Sequence, residues 1–141
     1  MKKLRFSIEI RSPKETVWQT LWQDKTFRDW ASIIDEGMYM VGVLKEGNEV
    51  QFISPGGTGV TSKVLKLTVN EFVSFRHMID TQDGGERPRE WTGGTESYSL
   101  TENGGVTVLT ALVDVPPEQE EAFKVILPKA LARVKILAEK K

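Results

Sequence analysis

The chain has 141 residues, inside the roughly 100–150 at which domains cluster, and is read as one domain spanning 1–141. With 39% hydrophobic and 28% charged residues it is neither a disordered tail nor a membrane protein. Lys and Arg number 19 against 20 Asp and Glu, a net charge of −1 that argues against coating a phosphate backbone; the lack of cysteine excludes a disulfide framework, a thiolate zinc site and a thiol nucleophile.

Leu4, Phe6, Ile8 and Ile10 alternate with polar residues from Lys3 to Arg11, the period-two signature of a half-buried strand. The two lysines of the opening Met-Lys-Lys-Leu-Arg-Phe precede no apolar stretch, so the expectation is no signal peptide and a cytoplasmic protein without membrane insertion. Ser12-Pro13-Lys14-Glu15 then reads as a helix start, with Ser12 as cap and Glu15 completing a capping box. Val17, Trp18, Leu21 and Trp22 share a face of that helix, and Asp24 reads as the cap of a second short helix carrying Phe27 and Trp30.

From Gly37 onward the pattern changes to strands, predicted at 38–44, 48–54, 59–69, 72–79, 94–102 and 106–115. Gly47-Asn48, Pro55-Gly56-Gly57 and Asn103-Gly104-Gly105 are turn signals between them. Alternation breaks near Val64-Leu65, which predicts a bulge. After Pro116-Pro117, Phe123, Ile126, Leu127, Ala130, Leu131, Val134, Leu137 and Ala138 recur at helical spacing, with Pro128 expected to kink the helix. The order is strand, two short helices, six strands and a long helix. This predicts an α+β fold in which a curved antiparallel sheet of about seven strands is packed across by the C-terminal helix, with a space between them.

The stretches Ser12-Pro13-Lys14-Glu15-Thr16-Val17-Trp18, Phe27-Arg28-Asp29-Trp30, Glu46-Gly47, Glu71-Phe72-Val73-Ser74-Phe75, Glu96-Ser97-Tyr98-Ser99-Leu100 and Thr107-Val108-Leu109, followed by the terminal helix, resemble the SRPBCC or START-like superfamily with its helix-grip fold. More narrowly, the chain resembles the branch named after the ATPase activator of the ninety-kilodalton heat-shock chaperone. The resemblance spans nearly the whole chain and implies a cavity between sheet and terminal helix, the inner face of that helix forming one wall. It does not specify function, because the superfamily includes lipid carriers, hormone receptors, polyketide cyclases and co-chaperones. The chaperone activators are usually two-domain proteins whose stimulating surface lies largely in a domain not seen here.

His77, the sole histidine, shares a predicted inward face with Val73, Phe75 and Ile79, and Glu96 shares one with Tyr98 and Leu100. If the two strands pair, Glu96 and His77 approach one another and form a candidate acid–base pair; the competing reading is a core histidine with a satisfied hydrogen bond. One His and one Glu are too few ligands for a metal, and no cofactor is expected. Trp30, Phe52, Phe75, Trp91, Tyr98, Phe123, Leu127 and Leu131 complete the candidate ligand-binding set. Trp18 and Trp22 read as core filler, and Met38, Met40 and Met78 either as core or as adaptable ligand contacts. The segment Asp80–Glu90 is a lid or a plain connection. The glycines at 56–59 lack the lysine of a phosphate loop, so no nucleotide site is expected.

Three functions follow as expectations. The first is binding of a small apolar or amphipathic ligand, a lipid or polycyclic metabolite. The second is a cyclase or hydrolase using His77 and Glu96. The third is a co-chaperone-like interaction domain, with chaperone contact and a homodimer left open as partners.

Overall fold

A computed structural model describes residues 1–140. The elements are β1 (Lys2–Ile10), α1 (Lys14–Trp22), α2 (Asp24–Ala31), β2 (Tyr39–Val41), β3 (Glu49–Ile53), β4 (Thr58–Thr68), β5 (Phe72–Gln82), β6 (Gly85–Glu86), β7 (Thr95–Asn103), β8 (Val106–Val115), a single 3-10 turn (Pro117–Gln119) and α3 (Glu120–Glu139). The architecture is α+β. Seven strands run in the order β1-β8-β7-β5-β4-β3-β2, every pairing antiparallel, and β6 adds to β5.

β1 and β2 lie at opposite edges of the sheet, so α1 and α2 carry the chain from one edge to the other. α3 packs on β1 and on both short helices. The apolar stripe of α3 supplies Leu127, Ala130, Leu131 and Val134, and alternate residues of the strands supply Ile10, Val64, Val73, Phe75 and Leu109, all at most 1% exposed. Burial of each larger side chain contributes about 1.5–3 kcal/mol.

The β7–β8 hairpin shows local chemistry setting register. Asn103 pairs with Val106, so Gly104 and Gly105 are the two loop residues, at φ +60° and +82°. Two successive positive φ values match the right-handed strand twist and favour glycine at both places. The bulge expected near Val64-Leu65 is present: Val64 opposes Phe75 and Lys66 opposes Ser74, leaving Leu65 unpaired.

Several expectations fail locally. Ser12 does not cap α1; Pro13 occupies the cap position and the Ser12 hydroxyl donates to the Ala138 carbonyl at 3.4 Å, tying the end of β1 to the end of α3. Asp24 begins α2 without capping it and pairs with Arg28 one turn on. The strand predicted at 38–44 shrinks to three residues, because Gly42 at φ +112° turns the chain out of the sheet. The segment 80–90 is not one loop: β5 runs to Gln82 and turns through Asp83 and Gly84 into β6. At Pro128, where a bend is expected, α3 does not end; it runs on with the proline at an exposed position.

Candidate functional site

A second bulge decides which side chains face inward. Ser62 opposes His77 and Thr61 opposes Ile79, so Met78 is left over. Inward facing therefore runs Val73, Phe75, His77 and then Asp80, not Ile79. Ile79 and Met78 are 39% and 40% exposed, whereas Asp80 is 1% exposed. The inward placement expected for Ile79 and the core use of Met78 are thus overturned by one extra residue in β5.

Beneath α3 and beside β5 and β7 lies a cavity of about 350 Å3. Trp22, Phe27 and Trp30 of the short helices form one wall, and Phe52, His77, Glu96 and Tyr98 of the sheet form another. Phe123 and Leu127 of α3 face it, as do Arg87, Glu90 and Trp91 of the segment after β6, and Asp35 and Met38 after α2. The aromatic rings pack mainly edge to face. Trp22 lies 5.3 Å from Tyr98 at 81°, and Trp91 lies 5.2 Å from Phe123. The Trp30 indole N–H donates to the Leu21 carbonyl at 3.0 Å, whereas the Trp22 Nε1 is buried without a hydrogen-bond partner.

Of the residues singled out from sequence, Trp30, Phe52, His77, Trp91, Glu96, Tyr98, Phe123 and Leu127 line this cavity. Phe75 does not. It is fully buried behind the rings of Trp22 and Phe52, 5.6 and 5.3 Å away. Leu131 lies one helical turn beyond Leu127 and faces a separate groove formed with Phe6, Ile8 and Pro128. Trp22, read as filler, is a cavity residue; Trp18 is core.

A polar string crosses the apolar wall. β5 and β7 pair Phe75 with Glu96, which puts Glu96 diagonally next to His77. His77 Nδ1 lies 2.7 Å from the Ser62 hydroxyl, and its Nε2 lies 3.5 Å from Glu96 Oε1. The Tyr98 hydroxyl donates to Glu96 Oε2. Burial first, then the Glu96 charge and this hydrogen bond, push the Tyr98 phenol well above its ordinary pKa, so it remains a donor. Ser62 is fully buried and does not line the cavity. Although Ser, His and Glu stand in a row, Ser62 positions the imidazole and is not placed as a nucleophile.

Asp80 organises the cavity's end. Its carboxylate accepts the Trp91 backbone N–H at 3.0 Å, and the Thr92 N–H and hydroxyl at 2.8 and 2.6 Å. Arg87 pairs with it at 3.3 Å and also donates to the Thr81 carbonyl, closing the β5–β6 hairpin onto the same carboxylate. Burial alone would raise its pKa, but the donors from Thr92, Trp91 and Glu90 outweigh burial and lower it. The sequence held no sign of this role, because the alternation of β5 places Asp80 outward until the Met78 bulge is known.

Among the described residues no group of three or more His, Asp or Glu is placed to hold a metal ion, and no helix is long and apolar enough to cross a membrane.

No family model and no curated protein matches the chain. Solved structures do. The protein MLL2253 from Mesorhizobium loti superposes with a TM-score of 0.77 at 16% identity, over 99% of this chain and 98% of that one. The Aha1 dimer from Colwellia psychrerythraea gives 0.71 at 21% identity, over 98% and 97%. DynU16, a putative protein in the dynemicin biosynthetic locus, gives 0.72 at 12% identity over 99% of this chain but 48% of that one, so this chain spans about half its length. At such identities the likeness establishes a shared fold, with helix-grip architecture, and not a shared activity.

Proposed function

We propose that this protein binds a small apolar or amphipathic molecule in the cavity between the sheet and α3. The observation that carries this reading is a cavity of about 350 Å3 with aromatic walls and one convergent polar string, His77, Glu96 and Tyr98. Apolar concavity with a few placed polar groups is the common form of a small-molecule site, and the volume lies near the low end of the roughly 300–1,000 Å3 usual for one. A compact ring system or a single short chain fits better than a two-chain lipid. Burial of the ligand at about 25 cal/mol per Å2 supplies affinity, and the polar string orients the ligand's polar end.

Native mass spectrometry of the protein as purified, with displacement of an apolar fluorescent dye by lipids and polycyclic aromatics, tests this. The expected result is a bound species or displacement by at least one class; neither would overturn the reading.

A second reading, acid–base catalysis in the same cavity, is favoured by one observation: Ser62 holds the imidazole with Nε2 facing Glu96. Its mark in the same experiment is a mass change in the bound species made by the wild type and not by a folded His77→Ala variant. A homodimer rests on the Aha1 dimer neighbour alone, and a chaperone contact on the sequence resemblance alone; both take second place.

A further inference from the structure

Resting on the ligand-binding reading, we infer that the cavity takes an organic cation: a protonated amine on a compact apolar or aromatic body. The cavity's charged side chains are Asp35, Glu90, Glu96 and Asp114 against Arg87 alone, with His77 as the remaining basic group. Two of these are already neutralised. Arg87 pairs with the buried Asp80 at 3.3 Å, and Asp114 pairs with Lys3 at 2.8 Å. Glu90 and Glu96, both half-buried, have no Lys or Arg partner among the described residues; nor has Asp35, which is exposed at the rim and accepts from the Ser54 hydroxyl. Even a protonated His77 would offset Glu96 and leave the other two.

Donor and acceptor placement agrees at Glu96, while the unpartnered Trp22 indole N–H favours an acceptor elsewhere on the ligand. The Tyr98 hydroxyl is spent on Glu96 Oε2, and His77 Nδ1 is spent on Ser62. His77, 5% exposed, directs only Nε2 at the cavity, and its 3.5 Å separation from Glu96 Oε1 is too long for a good hydrogen bond. The deep polar end is therefore a half-buried carboxylate with acceptor capacity unmet, a costly state that an incoming N–H+ relieves. The walls suit the same charge. Three of the four tryptophans, Trp22, Trp30 and Trp91, line the cavity with Tyr98, and indole faces attract cations more strongly than other rings do. A ligand carboxylate would meet the half-buried Glu90 and Glu96, with Arg87 already engaged by Asp80.

The test is calorimetric binding of three probes of one shape at pH 7: 1-naphthylmethylamine (a cation), 1-naphthylmethanol (neutral) and 1-naphthoate (an anion). The amine is expected to bind about tenfold tighter than the alcohol, with the carboxylate weakest. In Glu96→Gln the amine-to-alcohol affinity ratio should fall at least about fivefold. If that variant does not fold, Glu90→Gln at the half-buried mouth should lower the same ratio. Equal or tighter binding of the carboxylate, or an unchanged ratio in the folded variants, overturns the cation preference alone. Binding of none of the three overturns this inference; the ligand-binding reading falls with it only where native mass spectrometry and dye displacement also show no ligand.

Discussion

Asp80 concentrates several donors on one buried carboxylate, and its removal should be felt well beyond its own position. Asp80→Asn can keep an oxygen at Oδ1 for the Trp91 and Thr92 donors, but it removes the charge and puts an NH2 where Oδ2 faces Arg87 at 3.3 Å and the Trp91 N–H at 3.1 Å, so the buried ion pair is lost and donor meets donor. The expected cost at pH 7 is about 2–3 kcal/mol, measured by urea unfolding. The sign with pH follows from the lowered pKa. The stabilisation is present above the unfolded value near 3.8 and is lost as pH falls through the folded value. Wild type and variant should therefore converge in stability as the pH drops below 3.8. Parallel curves down to pH 2 would refute the account. Asp114, through Lys3 and Thr95, and Asp29, through Arg133, also have lowered values, so Asp80→Asn should flatten the acid limb without abolishing it.

At the scale of elements, α3 is the informative one. Its apolar stripe was legible from spacing alone, because a helix that covers a sheet must bury one face. Pro128 is the residue expected to bend it, and the helix runs on past that position. Proline still removes the N–H that would reach the Lys124 carbonyl and crowds the preceding turn. Pro128→Ala is thus expected to stabilise the protein by about 1–2 kcal/mol in a denaturant melt, since position 128 is exposed and only the ring's contacts at the rim of one surface groove are lost. Destabilisation would mean that the ring's contact with the groove beside Leu131, Phe6 and Ile8 outweighs the backbone cost. β4 and β5 teach the complementary lesson. The bulge at Leu65 was visible as a break in alternation, but the one at Met78 was not, since Val73, Phe75, His77 and Ile79 alternate faultlessly on paper. Pairing with β4, a partner ten or more residues away, decides which residue is left over.

For the molecule as a whole, the cavity is what the sheet, α2 and α3 leave unfilled. Ile34, just beyond α2, faces this space and is half-buried. Ile34→Trp should occupy part of the 350 Å3, weakening dye or amine binding at least about tenfold. The thermal midpoint should stay within about 4 °C of wild type, because the added ring fills empty volume and displaces little packed core. Unchanged binding with a folded variant would place the ligand elsewhere.

Periodicity, turn residues and composition already determined the order of elements, the antiparallel class, the capping helix and the exclusion of thiol and phosphate-loop chemistry. Those depend on contacts within a few residues or on a repeat that one face of an element must satisfy. His77 and Glu96 could be proposed as neighbours from strand faces, and the structure brings them to 3.5 Å. What sequence could not supply was Ser62 behind the imidazole, Asp80 turned inward, Trp22 as a wall and the separation of Leu131 from Leu127. Each of these turns on register between distant strands, or on which side of a helix meets a gap. Such differences arise only when the elements pack against one another, and local pattern carries no record of them.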